Sequence, residues 1–464
     1  MQLYVKISKP VSTASLLRKQ DLKRKNSDTM ANKWYKLDNA ATMIPSTARG
    51  ANTRVFRLSC TLKEDVDPDK LQEALDKTVQ EFPHLNVSLR KGLFWYYLDP
   101  VRTKAKVEED HLPICAPIYF PGRRNLLYRV SYYGKRINLE MFHVLADGTG
   151  GLAFLGKMVT NYLCAVHGIE TAGEEHDRSS AEAKNEDAFR HFYEKAKGNK
   201  QLGDITTRKA YQIHGIADEN LQVHVLEGIV SAGECLELAH RYKTTVGVLL
   251  TALLVQAILD DMPVADYKTP VVLQVPVNLR QYFHSETTRN FFGVILVKFD
   301  PADYNGTLES ILPHIEKSFE KQLQQERIRQ TMNSYSGLEH NLAISMVPVF
   351  IKDLVISGYS AQATKGTTAT ISNLGKIRMP DSVYTYVDYF SAFMTARNLQ
   401  VCIATYADKL VVGTASAFTD HRVMHRFFRR LKDHGIEAVI STNDFDEREK
   451  QFESGSANAA NKKE

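Results

Sequence analysis

A histidine, an aspartate and a cluster of glycines stand close together in the run Phe142-His143-Val144-Leu145-Ala146-Asp147-Gly148-Thr149-Gly150-Gly151. Histidine is the side chain whose ordinary pKa lets it accept a proton near neutral pH, so His143 is a candidate general base. Asp147 follows within one short turn and can fix that turn through an ion pair. Gly148 allows a backbone conformation that a Cβ would resist. The spacing of this H-x-x-x-D-G motif therefore favours proton transfer at His143.

A general base has to project from a rigid element into a cavity, and the flanking sequence predicts such elements. Arg136–Phe142 has the pattern of a strand and is expected to form a hairpin with Leu126–Tyr133 around Gly134-Lys135. Gly148–Val166 carries apolar residues at helical spacing. We therefore predict that His143 stands at the end of a strand and that a helix follows directly.

Two other interpretations of the same residues remain open. In one, His143 is merely buried in a turn, and Asp147 caps the helix that begins near Thr149. In the other, His143 and Asp147 bind a metal ion, but such a site needs further ligands that no nearby segment offers. No metal site is therefore predicted.

A second segment late in the chain has a similar setting. Asp420-His421-Arg422-Val423-Met424-His425-Arg426 follows a predicted hairpin and precedes a predicted helix. Aligning His421 with His143 puts His425 at the position of Asp147 and Arg426 at that of Gly148. This alignment predicts two related lobes, of which only the first kept the motif. Coincidence between two strand-to-helix turns is the alternative.

Composition limits the class of protein. The 464 residues are 43% hydrophobic and 24% charged with a net charge of +5, which is typical of a globular chain that can bury a sizeable core. The positive charge is not concentrated in a basic stripe, which argues against nucleic acid as a partner. No stretch approaches the ~20 apolar residues of a membrane-spanning helix, so no transmembrane segment is predicted. The longest apolar run, Val246–Leu259, is predicted to be a buried helix.

The cysteines are scattered singly, and the absence of a C-x-x-C pair argues against structural zinc and redox chemistry. An odd, dispersed set predicts reduced thiols in the core of a cytoplasmic protein. The cysteines are Cys60, Cys115, Cys164, Cys235 and Cys402.

The sequence divides into two predicted lobes. Residues 33–175 form the first lobe with the H-x-x-x-D-G motif, residues 176–202 a charged, Ala-rich linker, and residues 203–445 the second lobe. Residues 446–464 are predicted to be a disordered tail. Residues 1–32 are either a second disordered tail or the product of a mis-assigned start, since Met30 could be the true first residue.

A strand, H-x-x-x-D-G and a helix in a chain of this length resemble the coenzyme A-dependent acyltransferase superfamily. This group includes chloramphenicol acetyltransferase, the condensation domains of peptide synthetases, plant acyltransferases and bacterial alcohol acetyltransferases. The resemblance covers residues 33–443 and extends to Pro276-Val277-Asn278-Leu279-Arg280 and Ser372-Asn373-Leu374-Gly375. It implies an α/β (α+β) fold of two chloramphenicol acetyltransferase-like lobes, each a mixed sheet flanked by helices, with the active-site channel between them.

The resemblance also implies roles for single residues. His143 would be the general base, and Asp147, next to Gly148, would be mainly structural and would pair with Arg280. Ser372 and Asn373 would help to donate hydrogen bonds to the oxyanion. A polar turn after a strand is the alternative for these last two residues.

The implied reaction transfers an acyl group, acetyl being the first expectation, from a coenzyme A thioester to an alcohol or amine. Acyl-coenzyme A is then a cosubstrate, and no permanently bound cofactor is expected. Condensation domains usually carry two histidines in tandem, whereas Phe142 stands at the first position here, and the D-F-G-W-G segment of plant members is missing. These departures favour a stand-alone alcohol or amine acyltransferase, such as the alcohol acetyltransferases of bacteria.

Three alternatives of function stay open. The enzyme could take its acyl group from an acyl carrier protein, as a condensation-type acyltransferase does. The chain could instead be a non-catalytic member of the fold that binds an acyl chain or a partner. A histidine-dependent hydrolase is the third, and the sequence disfavours it because no G-x-S-x-G elbow occurs.

Overall fold

A computed structural model gives the fold of the chain, and it describes residues 34–170, 179–194, 209–219, 222–339, 346–395 and 398–443. The two predicted tails lie outside these residues, as do residues 176–178 and 195–202 of the predicted linker. The described part of the linker contains two short helices.

The β-strands, in chain order, are β1 Tyr35–Lys36, β2 Val55–Leu62, β3 Val87–Lys91, β4 Tyr96–Pro100, β5 Val107–Glu109, β6 Tyr128–Tyr133, β7 Arg136–Phe142, β8 His224–Ser231, β9 Val271–Asn278, β10 Phe292–Phe299, β11 Ala369–Lys376, β12 Val387–Met394, β13 Leu399–Tyr406, β14 Lys409–Ser416 and β15 Val439–Thr442. The α-helices are α1 Asn39–Thr47, α2 Pro68–Glu81, α3 Gly148–His167, α4 Ala181–Lys184, α5 Ala188–His191, α6 Ala232–Arg241, α7 Val246–Asp261, α8 Arg280–Phe283, α9 Leu312–Gln322, α10 Gln325–Glu339, α11 Val349–Lys365, α12 Asp381–Tyr384 and α13 Arg422–Asp433.

The first lobe is built on a five-stranded mixed sheet in the order β12-β2-β7-β6-β5. The predicted hairpin is present, since β6 and β7 pair antiparallel with Tyr133 opposite Arg136. Helix α3 packs on β2 and β7 and is covered by α2. Helix α2 begins at Pro68, because the Asp67 carboxylate accepts hydrogen bonds from the first free N–H groups of the helix. These contacts hold the start of α3 against the sheet.

The second lobe is built on a seven-stranded mixed sheet in the order β10-β9-β11-β13-β14-β8-β15. Helix α7 lies at its centre. Its apolar residues point in all directions, and every residue from Val248 to Leu259 is buried. It packs between α13, α9 and the sheet. The prediction of a buried helix in the longest apolar run is confirmed.

One strand crosses from the second lobe to the first. β12 pairs antiparallel with β2, so that Ala392 lies opposite Leu58 in the sheet of the first lobe. It also packs against β13 and β14, where a Cβ on Gly413 would come within 2.2 Å of the Ala392 carbonyl oxygen. The prediction that residues 203–445 form a continuous second lobe therefore needs correction at residues 387–394.

A third, antiparallel sheet in the order β1-β4-β3 lies beside the first lobe. Helices α1 and α11 pack on each other, and backbone and side-chain bonds from α11 reach the turn between β3 and β4. Asp38 caps α1 by accepting a hydrogen bond from the Ala41 N–H at 2.8 Å.

The late hairpin and its helix repeat the arrangement around the H-x-x-x-D-G motif. β14 ends at Ser416 and α13 begins at Arg422, just as β7 ends at Phe142 and α3 begins at Gly148. His421 is the N-cap residue of α13, so it corresponds in position to Asp147, the N-cap of α3. The sequence alignment of His421 with His143 is therefore wrong by four residues. Ala417 occupies the position of His143, and the second lobe has no histidine there.

All five cysteines lie in the described residues, and none forms a disulfide. Four of them are buried, as the sequence predicts, and burial raises the pKa of the Cys235 and Cys402 thiols to about 12. Within the described ranges, no single helix has the length and hydrophobicity to cross a membrane. The bent pair α6–α7 has enough apolar residues only when its two helices, 85° apart, are taken together.

Candidate active site

His143 follows the last residue of β7, as the sequence predicts. The backbone N–H of His143 donates to the backbone carbonyl of Arg54 at 2.9 Å. This bond continues the pairing of β7 with β2 by one residue. The imidazole lies edge-on to the Phe56 ring, with centroids 5.2 Å apart, and is tilted against Phe292 at 5.7 Å. The residue is partly exposed, while both of its chain neighbours are buried. The ring is thus fixed by its surroundings.

Asn290 determines which nitrogen of His143 carries the proton. His143 Nδ1 lies 2.9 Å from Asn290 Oδ1. The amide nitrogen of Asn290 faces two acceptors, Asp38 Oδ2 at 3.2 Å and the Val144 carbonyl at 3.5 Å, which fixes the amide with its oxygen towards the imidazole. A carbonyl oxygen can only accept, so Nδ1 is the donor. Nε2 of the neutral ring is therefore unprotonated and can accept a proton.

Burial sets the basicity of this ring. It disfavours the charged imidazolium and lowers the pKa of His143 below its ordinary value of 6.5, although the Asp147 carboxylate and the bond to Asn290 act in the opposite direction. At neutral pH the ring is therefore uncharged and in the form that a general base requires.

Behind Asn290 lies a buried carboxylate. Asp38 has no exposed surface, and burial raises its pKa to about 6, while the nearby Arg289 guanidinium opposes that rise. Arg289 Nε lies 3.6 Å from Asp38 Oδ2. The chain Asp38–Asn290–His143 thus connects the start of α1 in the first lobe, through a residue of the second lobe, to the candidate base.

The predicted ion pair of Asp147 and Arg280 is present. Asp147 Oδ1 accepts from the Gly150 N–H at 2.9 Å and caps α3. Asp147 Oδ2 accepts from Arg280 Nη1 and from the Phe291 N–H, both at 2.8 Å. The buried Asp147 carboxylate therefore accepts hydrogen bonds from the first turn of α3 and from two donors of the second lobe.

Arg280 also organises the segment that carries Asn290. Its Nε donates to the Thr287 carbonyl at 2.8 Å, and its Nη2 donates to the Arg289 carbonyl at 2.5 Å. The planar fork of the guanidinium can hold several acceptors in a fixed geometry. Residues 287–291 are thereby shaped around Arg280, with Asn290 directed at the imidazole.

The Ser372-Asn373-Leu374-Gly375 segment lies against the start of α3. A Cβ on Gly148 would stand 2.6 Å from Leu374 Cδ2. A larger residue at this position would therefore have to displace the end of the Leu374 side chain. The predicted special backbone conformation of Gly148 is wrong, because the residue is the first of a helix and has no positive φ. Gly375 does have a positive φ of 74° and ends an irregularity in the β11–β13 pairing.

Leu374 makes the contact of this segment with the motif, whereas the Asn373 amide lies beside Gly247 at the start of α7. Asn373 Oδ1 accepts from the Gly375 N–H at 2.8 Å and closes the turn. No hydrogen bond connects either side chain to His143 among the described residues. Their predicted oxyanion role stays a prediction.

Metal chemistry finds no support in the side-chain arrangement. In the parts of the chain that the structure covers, no three His, Cys, Asp or Glu residues are grouped as metal ligands. Both oxygens of Asp147 are engaged by protein donors, and His143 Nδ1 is engaged by Asn290.

Sequence analysis did not select Asn290 or Asp38. A signal was available in Thr287-Thr288-Arg289-Asn290, a polar run directly before the apolar strand β10, whose four residues are all buried in the structure. Their partners are far away in the sequence, however, since Asp38 precedes Asn290 by 252 residues. Such pairing cannot be read from local pattern.

The chain is similar to known proteins in structure but not in sequence. No family model matches the sequence, and no curated protein matches it. Among solved structures, TRI101 of F. graminearum in complex with coenzyme A and T-2 mycotoxin matches with a TM-score of 0.60 and 11% identity, over 88% of this chain and 99% of that one.

Two further structures are similar. The trichothecene 15-O-acetyltransferase TRI3 of Fusarium sporotrichioides has a TM-score of 0.56 and 9% identity, over 87% of this chain and 97% of its own. A mutant starter condensation domain of rhizomide synthetase RzmA, in complex with C8-CoA, has a TM-score of 0.59 and 12% identity, over 89% and 96%. The chain therefore has the two-lobed fold of acetyltransferases and condensation domains, and the fold predicted from the resemblance is confirmed.

Proposed function

We propose that the protein is an acyltransferase that moves an acyl group, acetyl in the first instance, from a coenzyme A thioester to an alcohol or an amine. The observation that carries this proposal is the state of His143. Its Nδ1 donates to Asn290, its pKa is lowered by burial, and its Nε2 is left as a proton acceptor on a partly exposed ring. General-base catalysis needs an unprotonated ring nitrogen that is held in position to accept a proton.

The reaction proceeds in two steps on one histidine. Nε2 of His143 takes the proton of the acceptor hydroxyl or amine while its oxygen or nitrogen attacks the thioester carbonyl. The tetrahedral intermediate then expels the thiolate, and the protonated imidazole returns the proton to sulfur. The Nδ1–H bond to Asn290 strengthens when the ring is charged, because charge-assisted hydrogen bonds are the stronger kind.

Asp147 and Arg280 act as positioning residues in this proposal. They hold residues 287–291 against the start of α3, and Asn290 in that segment holds the ring. Ser372 and Asn373 precede Leu374, which contacts Gly148, and are proposed to donate to the oxyanion once substrate is bound. An oxyanion donor is worth ~10²–10³ in rate.

The structural neighbours support the choice of donor. TRI101 was solved with coenzyme A, and the RzmA condensation domain with C8-CoA. TRI3 is named as an O-acetyltransferase, which supports a hydroxyl acceptor as the first class to test. The acyl chain length is left to experiment.

The direct test is release of free thiol from acetyl-CoA and longer acyl-CoAs with pooled alcohols, amines and glycolipids. We expect release that depends on acceptor, and a loss of at least ~10² in turnover in His143→Ala without loss of the fold, since general-base help is worth ~10²–10⁴. His421→Ala is the matched control, because this histidine stands at the equivalent strand-to-helix turn of the second lobe.

Near-normal transfer by His143→Ala would contradict the assignment of the base. If no acyl-CoA releases thiol with any acceptor, an acylated carrier protein should be incubated with the chain and its mass measured. A mass loss there would identify a carrier-dependent enzyme, and no reaction with either donor would favour a non-catalytic binding protein.

A further inference from the structure

Asp38 is the N-cap residue of α1, and it has no exposed surface. Capping alone does not require such burial, since Asp67 caps α2 from an exposed position. A carboxylate that leaves water loses free energy unless hydrogen-bond donors or a cation compensate for the loss. The burial of Asp38 therefore indicates a second role beside the capping of α1.

The two oxygens of Asp38 have different partners. Oδ1 accepts from the Ala41 N–H at 2.8 Å and caps the helix. Oδ2 accepts from Asn290 Nδ2 at 3.2 Å and lies 3.6 Å from Arg289 Nε. Arg289 also donates through Nη2 to the Lys36 carbonyl at 2.6 Å. The second oxygen of Asp38 therefore faces donors of the second lobe.

The chemistry of a carboxylate decides how the Asn290 amide is turned. Burial raises the pKa of Asp38 to about 6, against the effect of Arg289, so the side chain is ionised above that pH. An ionised carboxylate can only accept hydrogen bonds. Asn290 must therefore direct its nitrogen at Asp38, and its oxygen is left for His143 Nδ1 at 2.9 Å.

We propose that Asp38 is a positioning residue for the candidate base. Its carboxylate fixes the orientation of the Asn290 amide, and that amide fixes the proton of the His143 ring on Nδ1. The proposal rests on the proposed function, in which Nε2 of His143 takes the proton of the acceptor. It adds that the tautomer of the base is set from the first lobe through a residue of the second lobe.

Asp38→Asn should reverse the polarity of this chain of hydrogen bonds. The Ala41 N–H keeps the oxygen of the new amide in the cap, because asparagine caps a helix about as well as aspartate does. The nitrogen of the new amide then points at the nitrogen of Asn290, so that two donors face each other. We expect the Asn290 amide to turn over, which presents its nitrogen to His143 and moves the ring proton to Nε2.

The double variant Asp38→Asn/Asn290→Asp should restore the polarity. The carboxylate then stands at position 290, where it accepts from the amide at position 38 and from Nδ1 of His143. The number of charges in this region is unchanged. We expect the ring proton to return to Nδ1.

NMR of the full chain with ¹⁵N-labelled histidine reads the tautomer without any substrate. The signal of His143 is the one that is missing in His143→Ala, and alkaline buffer keeps the ring uncharged. Asp187→Asn is the matched control and should keep the tautomer of the parent protein. It makes the same change at the N-cap of α5, where Asp187 accepts from the Arg190 N–H and its charge acts on Asp38.

The thiol-release assay gives the second readout. We expect Asp38→Asn to lower kcat by ~10²–10⁴, the range that a general base contributes, and the double variant to recover most of that loss. KM should change little, because Asp38 is buried behind Asn290. A reversed tautomer with unchanged kcat would support the role of Asp38 in orienting the ring and would contradict His143 as the base.

An unchanged tautomer in Asp38→Asn would overturn the proposal, because the ring proton would then be held by another group, such as the backbone carbonyl of His143. A double variant that keeps the proton on Nε2 would overturn it as well. If Asp38→Asn does not fold, Asp38→Ser takes its place, since serine also caps a helix but leaves the Asn290 nitrogen without its carboxylate partner. We expect a mixture of tautomers there, and a ring protonated on Nδ1 alone would overturn the proposal.

Discussion

Asn290 and His143 act as one unit at the scale of single residues. The imidazole alone could hold its proton on either nitrogen, and only one tautomer leaves Nε2 free to accept. Asn290 selects that tautomer because its amide nitrogen is committed to Asp38 and Val144. A neutral amide does this without adding a charge beside the imidazole. The ring is thereby oriented while its pKa stays low.

Replacement of Asn290 by alanine should separate orientation from basicity. The bond from Nδ1 stabilises the charged ring, so its loss lowers the pKa of His143 further. A hydrogen bond to a charged group is worth about 1.5–3 kcal/mol, which corresponds to a roughly tenfold to hundredfold loss in kcat. The neutral base is present above its pKa, so activity is lost as pH falls through that pKa.

The measurement is the pH profile of kcat/KM for the parent protein and Asn290→Ala. We expect an acid limb below 6.5 in the parent protein, because its pKa is lowered, and a limb at still lower pH in the variant, together with a reduced plateau. A limb that moves to higher pH, or an unchanged plateau, would contradict the role given to Asn290.

At the residue level, the features that could be predicted are local ones: His143 directly follows β7, and Asp147 caps α3. The catalytic role of His143 stays a prediction. The Arg280 partner came from the resemblance of a whole segment to a known family. Asn290 and Asp38 escaped prediction, because a buried asparagine and aspartate look like ordinary loop residues until the fold brings them together.

At the scale of elements, the start of α3 packs closely on a segment of the second lobe. A Cβ on Gly150 would stand 1.8 Å from the Thr288 carbonyl oxygen, which is backbone and cannot rotate away. Thr288 belongs to the segment that ends in Asn290. The glycine-rich entry to the helix therefore makes room for the residues that orient the base.

Two alanine substitutions in α3 should have opposite effects on the free energy of unfolding. Gly150→Ala should destabilise the protein by about 1–3 kcal/mol or more, the usual cost of overpacking, and should reduce turnover as residues 287–291 are displaced. Gly156→Ala is the control in the same helix, since its Cβ would meet only Met379 Sδ at 3.8 Å. It should be neutral or stabilising by up to ~1 kcal/mol, because alanine is the better helix former.

Urea unfolding of both variants gives the comparison. Equal stability of Gly150→Ala and Gly156→Ala would show that the carbonyl of Thr288 can move aside at little cost. Retained turnover in Gly150→Ala would show that the position of residues 287–291 does not affect proton transfer at His143.

Regular elements with one clear period were predicted well, and others were not. Helix α7 and the β6–β7 hairpin follow simple patterns. The sequence pattern also predicts a helix near Leu308–Glu326. The structure has α9 within this range, at Leu312–Gln322 with Pro313 in its first turn, and α10 begins separately at Gln325. Helix α11 was not predicted, because its apolar and polar residues are spread around the helix without a clear stripe.

At the scale of the whole molecule, Asp147 and Arg280 join the two lobes. The aspartate caps a helix of the first lobe, and the arginine belongs to the second. Both side chains are nearly buried, with 8% and 11% of their surface exposed. Removing one partner of such a pair leaves the other as an uncompensated charge.

Asp147→Asn should therefore weaken the attachment of the lobes as well as the site. An amide can still cap α3 through its oxygen, but its nitrogen would face the donors of Arg280 and Phe291. We expect a loss of about 3–5 kcal/mol in the free energy of unfolding, as for other broken buried pairs, with a fall in turnover. Thermal and urea unfolding measure the loss of stability, and the thiol-release assay measures the fall in turnover.

Asp67→Asn provides the comparison for this substitution. Asp67 caps α2 from an exposed position, and asparagine caps a helix about as well as aspartate does. It should change stability by much less than Asp147→Asn. If both variants changed the free energy of unfolding by similarly small amounts, Asp147 would act only as a helix cap.

The two-lobed fold was predictable from the resemblance, but the boundary between the lobes was not. β12 reads as one more strand of the second half of the chain, and nothing local in Val387–Met394 indicates that it pairs with β2. Both faces of the strand carry apolar residues, so no alternation marks a solvent side. Only the pairing of β12 with β2 in the folded structure shows that this strand is part of the first sheet.

The crossing of β12 has a consequence for biosynthesis. A ribosome releases β2 more than three hundred residues before its neighbour β12 emerges, so the nascent first sheet must wait with an open edge until synthesis is almost finished. A fragment that ended between the lobes would lack β12 and would leave the edge of β2 unpaired. The first sheet is therefore completed only by a strand from the second half of the chain.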